Sequence, residues 1–310
     1  MSQRLNGAVA TSATTPANSD DTVIHDRWIL LSDGNDIIDV GRATANRTDM
    51  RMIGYNVVET ADKKFGFAQI IENKDAAQLV GGSAVVTLSF IAAVNNTTSL
   101  DDIRAGIVSW SGTADSVTSD LVNAWNAADT NPTLATNWTF ENTPANLSVG
   151  TSFVMYSVTA TIDTSSTANV AAFIWSNSVD NDVDDVFYLG GCQLELGSYP
   201  TPFITESYEE NLARCQRYFR ISGVNAASGN QSNNMYYTSL DLSPSMRADP
   251  SIAASFAHGL YSGNFETRVT ATFGSGVTLI DSTPETVVVR GGTSNSYNWI
   301  RGNLHLEAEL

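Results

Sequence analysis

Apolar and polar residues alternate along several runs of this chain, and this pattern constrains its fold more than any other feature. In the stretch AVVTLSFIAAV, every second residue from Val86 to Val94 is apolar, and polar residues such as Thr87 lie between them. The stretch VMYSVTATI repeats the pattern from Val154 to Ile162. A period of two over eight or more residues is typical of a strand with one buried face. The chain is therefore predicted to form sheets that bury their apolar faces against each other.

The residues between these runs, together with one run that is apolar on both faces, favour a β-sandwich. Clusters of Gly, Asn, Asp and Ser separate the runs, as turns require. The run VAAFIWS (170–176) has no polar face until its last residue, which is typical of an inner strand. Two runs, NKDAAQLV and TSDLVNAWNAAD, have helical spacing instead, the second with Leu121, Val122 and Trp125 on one side. The predicted fold class is all-β, a jelly-roll β-sandwich with two helical insertions.

One stronger helix is predicted near the middle of the chain, followed by a smaller C-terminal β domain. Ser207 with Glu210 three residues later has the spacing of a capping box. Apolar residues recur at helical spacing from Tyr208 to Phe219, so one stripe of the helix is expected to be buried. We predict that this helix is a structural joint between two β units, formed by Ser207, Glu210, Leu212, Cys215, Tyr218 and Phe219.

The predicted organisation has four parts. They are a polar N-terminal arm (1–21), a jelly-roll domain (22–205), a connecting helix (206–220) and a C-terminal β domain (221–310). In the last part, apolar residues alternate up to Leu310, which predicts a paired C-terminal strand. Because this domain is small, oligomerisation is expected to supply part of its core.

The charge and the apolar content exclude several classes of function. A formal net charge of −17 opposes binding to nucleic-acid phosphates and to anionic membrane surfaces. No apolar run approaches the roughly 20 residues of a membrane helix, and no signal-peptide core is evident, so membrane insertion is not expected. We expect folding in a reducing cytoplasm. Cys192 and Cys215 lack metal-ligand spacing and are expected to be reduced thiols in the core.

Sequence motifs for catalysis are missing, and one acidic loop has the composition of a cation site. The three histidines show no ligand spacing, and neither a Gly-x-Ser-x-Gly elbow nor a P-loop occurs. No glycosidase-type carboxylate pair stands out among 33 acidic residues, so we predict that the chain is not an enzyme. Asp180, Asp182 and Asp184 lie in a loop whose oxygen-rich side chains suit a structural Ca²⁺ ion. The alternative is a solvated acidic turn, and no other cofactor is expected.

The stretch QLELGSYPTPF followed by ESYEENLARCQRYF resembles a segment of tail-fibre and other structural proteins of tailed bacteriophages. In those proteins the segment follows a jelly-roll domain similar to carbohydrate-binding modules, which often carries a structural calcium. Upstream stretches such as DRWILLSDG, and the C-terminal LSPSMRADPSI and LEAEL, are similar to the same family. The chain has no long repetitive shaft, so the resemblance favours a short tail fibre or appendage, or a head decoration. It implies a virion protein assembled in the bacterial cytoplasm, a homotrimer, and contacts with other virion proteins.

Sugar binding is the ligand class that the loop residues favour. Trp110, Trp125 and Trp138 lie in a stretch rich in Asn and Asp, and sugars are held by aromatic faces together with hydrogen-bonding side chains. The alternative is that each Trp fills the core, as predicted for Trp28 and Trp175. We therefore predict a structural protein that adheres weakly and multivalently to a host-surface glycan. Two alternatives stay open: a purely architectural decoration or adaptor without a ligand, and a host-glycan depolymerase.

Overall fold

A computed structural model of the chain describes residues 20–25, 27–34, 37–43, 53–57, 63–79, 83–162, 164–204, 207–228, 235–261, 266–272, 277–283, 285–292 and 297–308. The secondary structure of these residues is dominated by β-strands, with two helices among them. The chain divides into two compact units, and the boundary lies between Thr205 and Glu206. None of the described helices is long and apolar enough to span a membrane.

The first unit consists of antiparallel strands and one short helix. Its strands are β1 (Thr22–His25), β2 (Trp28–Ser32), β3 (Ile38–Arg42), β4 (Ile53–Val57), β5 (Phe65–Ile71), β6 (Ala84–Val94), β7 (Ile103–Trp110), β8 (Val122–Ala124), β9 (Thr133–Leu134), β10 (Trp138–Phe140), β11 (Val154–Ile162), β12 (Asn169–Ser176) and β13 (Val186–Leu196). The helix α1 (Asn73–Ala76) follows β5 and confirms the helical turn predicted in NKDAAQLV.

The two main sheets of this unit form a sandwich. A six-stranded sheet has the order β1-β2-β5-β12-β7-β10, and a five-stranded sheet has the order β11-β6-β13-β4-β3. Between β4 and β7, and again between β10 and β13, each successive strand lies in the other sheet. This repeated crossing is characteristic of a jelly roll. The predicted all-β jelly-roll sandwich is therefore confirmed.

The apolar faces of the two sheets pack against each other and form the main core. On β6, Val86, Leu88 and Phe90 alternate into this core, as the period-two pattern predicts. Cys192 also packs against it, and burial raises the pKa of the Cys192 thiol to about 12. Neither Cys192 nor Cys215 forms a disulfide bond.

Strand β12 is buried on both faces, which confirms the prediction of an inner strand. It pairs with β5 on one side and β7 on the other, and every one of its residues is buried. Val170, Ala172 and Ile174 point into the main core. Phe173 and Trp175 point to the opposite side of the six-stranded sheet, which we call the outer face, and pack there in a second apolar cluster.

The helix predicted in TSDLVNAWNAAD is wrong. Residues of this run form the short strand β8, which pairs with β9 instead of continuing as a helix. Leu121 and Val122 are buried in the cluster on the outer face, and Trp125 packs against it. Their apolar side chains are therefore buried by the sheet beneath them, and tertiary contact overrides the local helical spacing.

Side chains of the segment QLELGSYPTPF fix the chain at the point where it leaves β13. The Glu195 carboxylate accepts hydrogen bonds from the Thr201 backbone N–H (2.7 Å), the Thr201 hydroxyl (2.7 Å) and the Gln193 amide (2.9 Å). These bonds to Thr201, together with the Gln193 amide, lower the pKa of Glu195. In addition, Gly197 bonds the Val85 carbonyl through its N–H. Gln193 and Glu195 thus hold the turn that follows β13 by hydrogen bonds.

The second unit contains one helix and two sheets. Its elements are α2 (Tyr208–Gln216), β14 (Phe219–Ser228), β15 (Met235–Asp241), β16 (Ser251–Tyr261), β17 (Glu266–Thr272), β18 (Val277–Ser282), β19 (Thr286–Gly292) and β20 (Tyr297–Glu307). The sheets have the orders β14-β20-β16-β17 and β15-β19-β18. The predicted C-terminal strand is confirmed, because β20 pairs with both β14 and β16 and buries Leu306.

Helix α2 begins with the predicted capping box. The Ser207 hydroxyl accepts from the Glu210 N–H (3.2 Å), and the Glu210 carboxylate accepts from the Ser207 N–H (3.2 Å). Cys215 is buried, but Tyr208 is 63% exposed and Leu212 is only partly buried. The predicted apolar stripe is thus buried only towards the end of the helix, near Tyr218 and Phe219, and the role of the helix as a joint stays a prediction.

The arm predicted for residues 1–21 lies outside the described residues except for Asp20 and Asp21, which form a turn before β1. In the second unit, the Tyr218 carbonyl accepts from the Ala308 N–H (2.7 Å) and the Arg217 carbonyl from the Arg247 N–H (2.8 Å). The residues that follow α2 are thus hydrogen-bonded to Arg247 and to Ala308 of the same unit.

Replacing Ser207 by Ala removes the acceptor for the Glu210 N–H, so we expect the second unit to lose about 1 kcal/mol of unfolding free energy. Thermal denaturation followed by circular dichroism measures this loss. The Ser207→Asn variant keeps a side-chain acceptor and is the matched control. Equal stability of the Ala and Asn variants would contradict the importance of this cap.

Candidate functional site

The outer face of the six-stranded sheet is covered by a loop of its own chain. Residues 111–137, which we call the cover segment, connect β7 to β10 and include the small β8–β9 hairpin. Leu121 and Val122 of this segment are buried against outer-face residues of the sheet, and Val117, Trp125 and Leu134 pack beside them. The face that a two-sheet sandwich ordinarily exposes to solvent is therefore a second buried layer here.

Aspartate and asparagine residues make the turns of the cover segment. Asp115, Asp129 and Asn137 have positive φ angles of 55°, 60° and 71°. Asp and Asn adopt this left-handed conformation more readily than other residues with a Cβ atom. The abundance of Asn and Asp noted in the sequence therefore has a structural cause, because these residues reverse the chain over the sheet.

An aromatic pair on β12 lies at the centre of the covered face. The Phe173 and Trp175 rings stack with centroids 4.6 Å apart. Gly66 of β5 provides the space for them, since a Cβ atom there would lie 2.6 Å from the Trp175 side chain. On the other side, a Cβ atom on Gly106 would lie 2.6 Å from the ring of Phe140, which in turn packs 5.7 Å from Trp175. The aromatic layer thus depends on glycine in both neighbouring strands.

Two of the three tryptophans predicted to bind sugar are buried in this layer. Trp110 and Trp138 face each other across β7 and β10, with ring centroids 5.2 Å apart. The Trp110 indole N–H donates to the Thr113 carbonyl (3.0 Å), and that of Trp138 donates to the Thr118 carbonyl (3.4 Å). Both rings are packed and their polar atoms are bonded within the cover segment, so neither ring face is free to stack on a sugar in this structure.

Trp125 differs from the other two because it is only partly buried. Its ring packs against Phe173 at a centroid distance of 6.2 Å, and this contact holds it at the margin of the aromatic layer. Asn123 and Asp129 nearby in the sequence are exposed. Trp125 is thus the one predicted sugar-binding residue whose ring keeps contact with solvent.

A buried charged cluster holds one end of the cover segment on the sheet. Asp102 accepts from Arg104 in a fork, with Nε to Oδ1 at 2.9 Å and a second guanidinium nitrogen to Oδ2 at 2.7 Å. Asn177 donates to Asp102 Oδ2 (2.9 Å) and accepts from Lys64 Nζ (2.7 Å). All four side chains are buried, and their strands meet at the same end of the sheet.

Two members of this cluster bind the cover segment directly. Lys64 Nζ donates to the carbonyls of Ala127 (2.8 Å) and Thr130 (3.4 Å), and Arg104 donates to Asn131 Oδ1 (2.8 Å). Lys64 is only 2% exposed, and burial followed by the nearby Arg104 charge lowers its pKa. A buried cation must be paired and fully hydrogen-bonded to be stable, so the cover segment completes the environment of Lys64.

A second polar cluster, centred on the amide of Asn169, holds the opposite end of the segment. The Asn169 amide donates to Asp115 Oδ1 (2.7 Å) and accepts from the Asp115 N–H (3.0 Å). Asp115 Oδ1 also accepts from the Asn73 N–H (2.8 Å) at the start of α1. Asn169 is buried at the beginning of β12, whereas Asn177 of the charged cluster follows the end of that strand. The cover segment is thus bonded at both ends of β12.

The acidic loop predicted to bind calcium forms a hydrogen-bonded turn. Asp185 is buried and accepts from the Asp182 N–H (2.7 Å) and the Asn96 amide (3.0 Å). Asp180, Asp182 and Asp184 are exposed. Among the residues that the structure describes, no group of three or more His, Cys, Asp or Glu side chains is arranged to hold a metal ion. Calcium binding at this loop stays a prediction.

A second group of carboxylates links the start of β1 to the cover segment. Asp120 Oδ1 accepts from the Val122 N–H (3.1 Å), and Asp20 Oδ1 accepts from the Ser32 N–H (3.0 Å). Burial raises the pKa of Asp120, and the negative charges of Asp20 and Asp21 raise it further. Burial and the Asp20 charge also raise the pKa of Asp21, against the hydrogen bond from Ser119. Like charges therefore approach each other here without a counter-ion among these groups.

The charged cluster was not identified from the sequence. Lys64 and Asn177 are 113 positions apart, and Asn177 and Asp102 are 75 apart. One signal in the sequence could have indicated this cluster. Polar residues lie near the ends of the strands, at positions that face the outer side of the sheet, and Arg104 lies opposite Trp175 at such a position. Arg104 and Asn177 donate hydrogen bonds to Asp102, so that both oxygens of this carboxylate have partners within the cluster.

Comparison with solved structures finds sandwich proteins of similar strand arrangement at low similarity. The enzymatically active domain of tailspike protein 4 from bacteriophage CBA120 is 15% identical with a TM-score of 0.35, and the match covers 58% of this chain and 21% of the tailspike chain. A family 11 carbohydrate-binding module from Clostridium thermocellum is 12% identical with a TM-score of 0.31, covering 60% of this chain and 97% of the module.

A third solved structure, TmCBM61 in complex with β-1,4-galactotriose, is 10% identical with a TM-score of 0.32, covering 58% of this chain and 92% of the module. No protein-family model matches the chain, and no curated protein matches its sequence. At these scores the similarity carries no argument about the fold or the ligand of this chain.

The Lys64→Met variant should loosen the cover segment. It leaves Asn177 Oδ1 and the carbonyls of Ala127 and Thr130 without their donor, which costs about 1–3 kcal/mol for a buried group. We expect a lower midpoint of thermal unfolding and stronger acrylamide quenching of tryptophan fluorescence. Lys63→Met, at the partly buried residue that precedes Lys64, is the control. Quenching that is equal in the two variants would contradict the role of Lys64.

Replacing Asp120 by Asn should stabilise the fold at neutral pH. The raised pKa of Asp120 means that its charged form is disfavoured in the folded state, whereas Asn keeps an acceptor for the Val122 N–H. The gain in melting temperature should be largest at pH 7. It should shrink as the pH falls through the raised pKa towards the ordinary value of 3.8, because the native carboxyl then becomes neutral. A gain that does not depend on pH would contradict this explanation.

Proposed function

We propose that this chain is a structural protein of a tailed-bacteriophage virion, in a short tail fibre or tail appendage, and that its first unit contributes to adhesion by binding a host-surface glycan at Trp125. The partial exposure of Trp125 is the observation that carries the choice of site. The virion assignment rests on the resemblance of the Gln193–Phe219 region to phage structural proteins. Calcium binding and a homotrimer are further expectations of that resemblance.

The environment of Trp125 suits a weak sugar site. The ring contacts Phe173 at a tilted angle of 55°, so it is partly fixed before a sugar binds and little conformational freedom is lost when a sugar ring stacks on its exposed part. The Asn126 amide donates to the Asn131 carbonyl (2.7 Å) and to the Thr133 hydroxyl (3.1 Å), which fixes the loop beside the ring. Asn123 and Asp129 are exposed and offer hydrogen-bonding groups to sugar hydroxyls.

A single aromatic platform of this kind supports only weak binding. Adhesion would then depend on several copies that act together, because linked weak sites raise the effective affinity by mass action. An assembled appendage with repeated subunits supplies such copies. Weak individual sites are thus compatible with a role in attachment.

Glycan-array binding of the full chain and of Trp125→Ala tests this proposal. We expect the variant to lose affinity by about tenfold or more, equivalent to about 1.4 kcal/mol. Because Trp125 also packs on Phe173, the exposed Asn123→Ala variant is a second test that leaves the aromatic layer intact, and it should weaken binding without lowering the melting temperature.

Tyr199→Ala is the matched control, since Tyr199 is an aromatic residue that is 82% exposed at a different loop. It should bind as the unaltered chain does. Binding that is unchanged in both Trp125→Ala and Asn123→Ala would remove the proposed site.

A purely architectural role is the second candidate. The burial of Trp110 and Trp138 and the bonds at both ends of the cover segment favour it, because they leave both tryptophan rings packed inside the covered face. Absence of binding to every glycan tested, with normal incorporation of the chain into particles, is the result expected for this candidate.

A further inference from the structure

Strand β11 lies at one edge of the five-stranded sheet. It pairs in continuous register with β6, from Val154 opposite Ala92 to Ile162 opposite Ala84, and none of the described strands lies on its other side. In an antiparallel pair, every second residue of an edge strand points its N–H and C=O away from the partner strand. Among the described residues, none of the backbone groups of β11 bonds to a residue outside β6. A row of backbone donors and acceptors is therefore available.

The other edges of the two sheets in this unit are short or interrupted. Strand β1 has four residues and an irregular register between Val23 and His25, and β10 has three residues. Strand β3 has five residues and includes Asp39 and Arg42. Short length, irregular pairing and charge are the features by which proteins prevent edge-to-edge pairing. Strand β11 has none of them, since it is nine residues long, regular and free of charged residues and proline.

The exposed side chains of β11 are complementary to a second copy of the same strand. Met155 is 47% exposed, and Ser157, Thr159 and Thr161 are exposed on the same side. In an antiparallel self-pairing centred on Val158, Ser157 of one copy lies opposite Thr159 of the other, and Met155 lies opposite Thr161. Hydroxyl pairs of this type stabilise antiparallel sheets. One already exists between β11 and its neighbour β6, where the Thr159 and Thr87 hydroxyls are 2.9 Å apart.

We propose that β11 pairs antiparallel with β11 of a second copy of this chain, so that two five-stranded sheets join into one continuous sheet across a two-fold axis. The occupant is a strand because the free groups are backbone donors and acceptors. We choose a second copy of the chain because β11 carries no charged residue. Two copies of this acidic chain therefore repel each other less at β11 than they would at a charged surface. The interface is isologous, and each copy contributes the same residues.

The net charge of −17 gives the pairing a characteristic salt dependence. Two identical acidic chains repel each other, and added salt screens this repulsion. Self-association should therefore strengthen as the sodium chloride concentration rises. An edge that instead binds a basic partner would bind more weakly in salt.

Sedimentation velocity of the full chain at increasing protein and salt concentration, together with hydrogen exchange of residues 154–162, tests the proposal. We expect slower exchange in β11 as association proceeds. Ser157→Lys should weaken association roughly tenfold or more, because the two introduced lysines then lie diagonally across the two-fold axis and repel each other. Thr139→Lys, exposed on the edge strand β10, makes the same change in net charge and should have no such effect.

Charge complementation makes the test specific to the register. Thr159→Asp alone should also weaken association. A mixture of Ser157→Lys and Thr159→Asp chains, however, places the introduced lysine of one copy opposite the introduced aspartate of the other and should restore it. Three results would each overturn the proposal: the mass of a single chain at every protein and salt concentration, equal behaviour of Ser157→Lys and Thr139→Lys, and a mixture that does not recover. Protection of β11 that arises only when a different protein is added would assign the edge to that protein instead.

Discussion

The burial of both faces of β12 is the constraint on which the rest of the first unit depends. A strand with Val170, Ala172 and Ile174 on one side and Phe173 and Trp175 on the other is stable only where each side is removed from water. The second sheet covers one side, as in any sandwich. The other side requires additional chain, and the cover segment supplies it. Its turns and buried apolar residues, and the glycines beneath the aromatic layer, all follow from this requirement.

The polar residues around β12 explain why the cover segment takes one position. Apolar contact alone is not directional and would allow the loop to shift over the face. The bonds from Lys64 and Arg104 at one end, and between Asp115 and Asn169 at the other, are directional and are satisfied in only one arrangement. The cover segment also provides two of the carbonyl groups that accept hydrogen bonds from the buried Lys64. Moving the segment away would leave the Lys64 ammonium group without these partners. The loop and the sheet are therefore joined by both apolar packing and directional hydrogen bonds, with Trp125 at the margin.

The parts of this fold that depend on neighbouring residues could be predicted from the sequence. The alternation in β6, the inner character of β12 and the capping box of Ser207 and Glu210 are local patterns, and the structure contains all three. Interactions between distant residues decided the rest. Leu121, Val122 and Trp125 have helical spacing, but the sheet beneath them offers more burial than one helix face would. Likewise, the burial of Trp110 and Trp138 follows from the path of the loop, and Asn and Asp in that loop serve turns as well as exposed surface.

The chemical state of the two native thiols has a practical consequence. Cys215 is buried, and the Cys192 thiol has a pKa of about 12, so it is almost entirely protonated in neutral solution. A maleimide dye reacts with an accessible thiolate, which neither residue provides in the folded chain. One engineered surface cysteine should therefore react with a maleimide fluorophore faster than either native thiol.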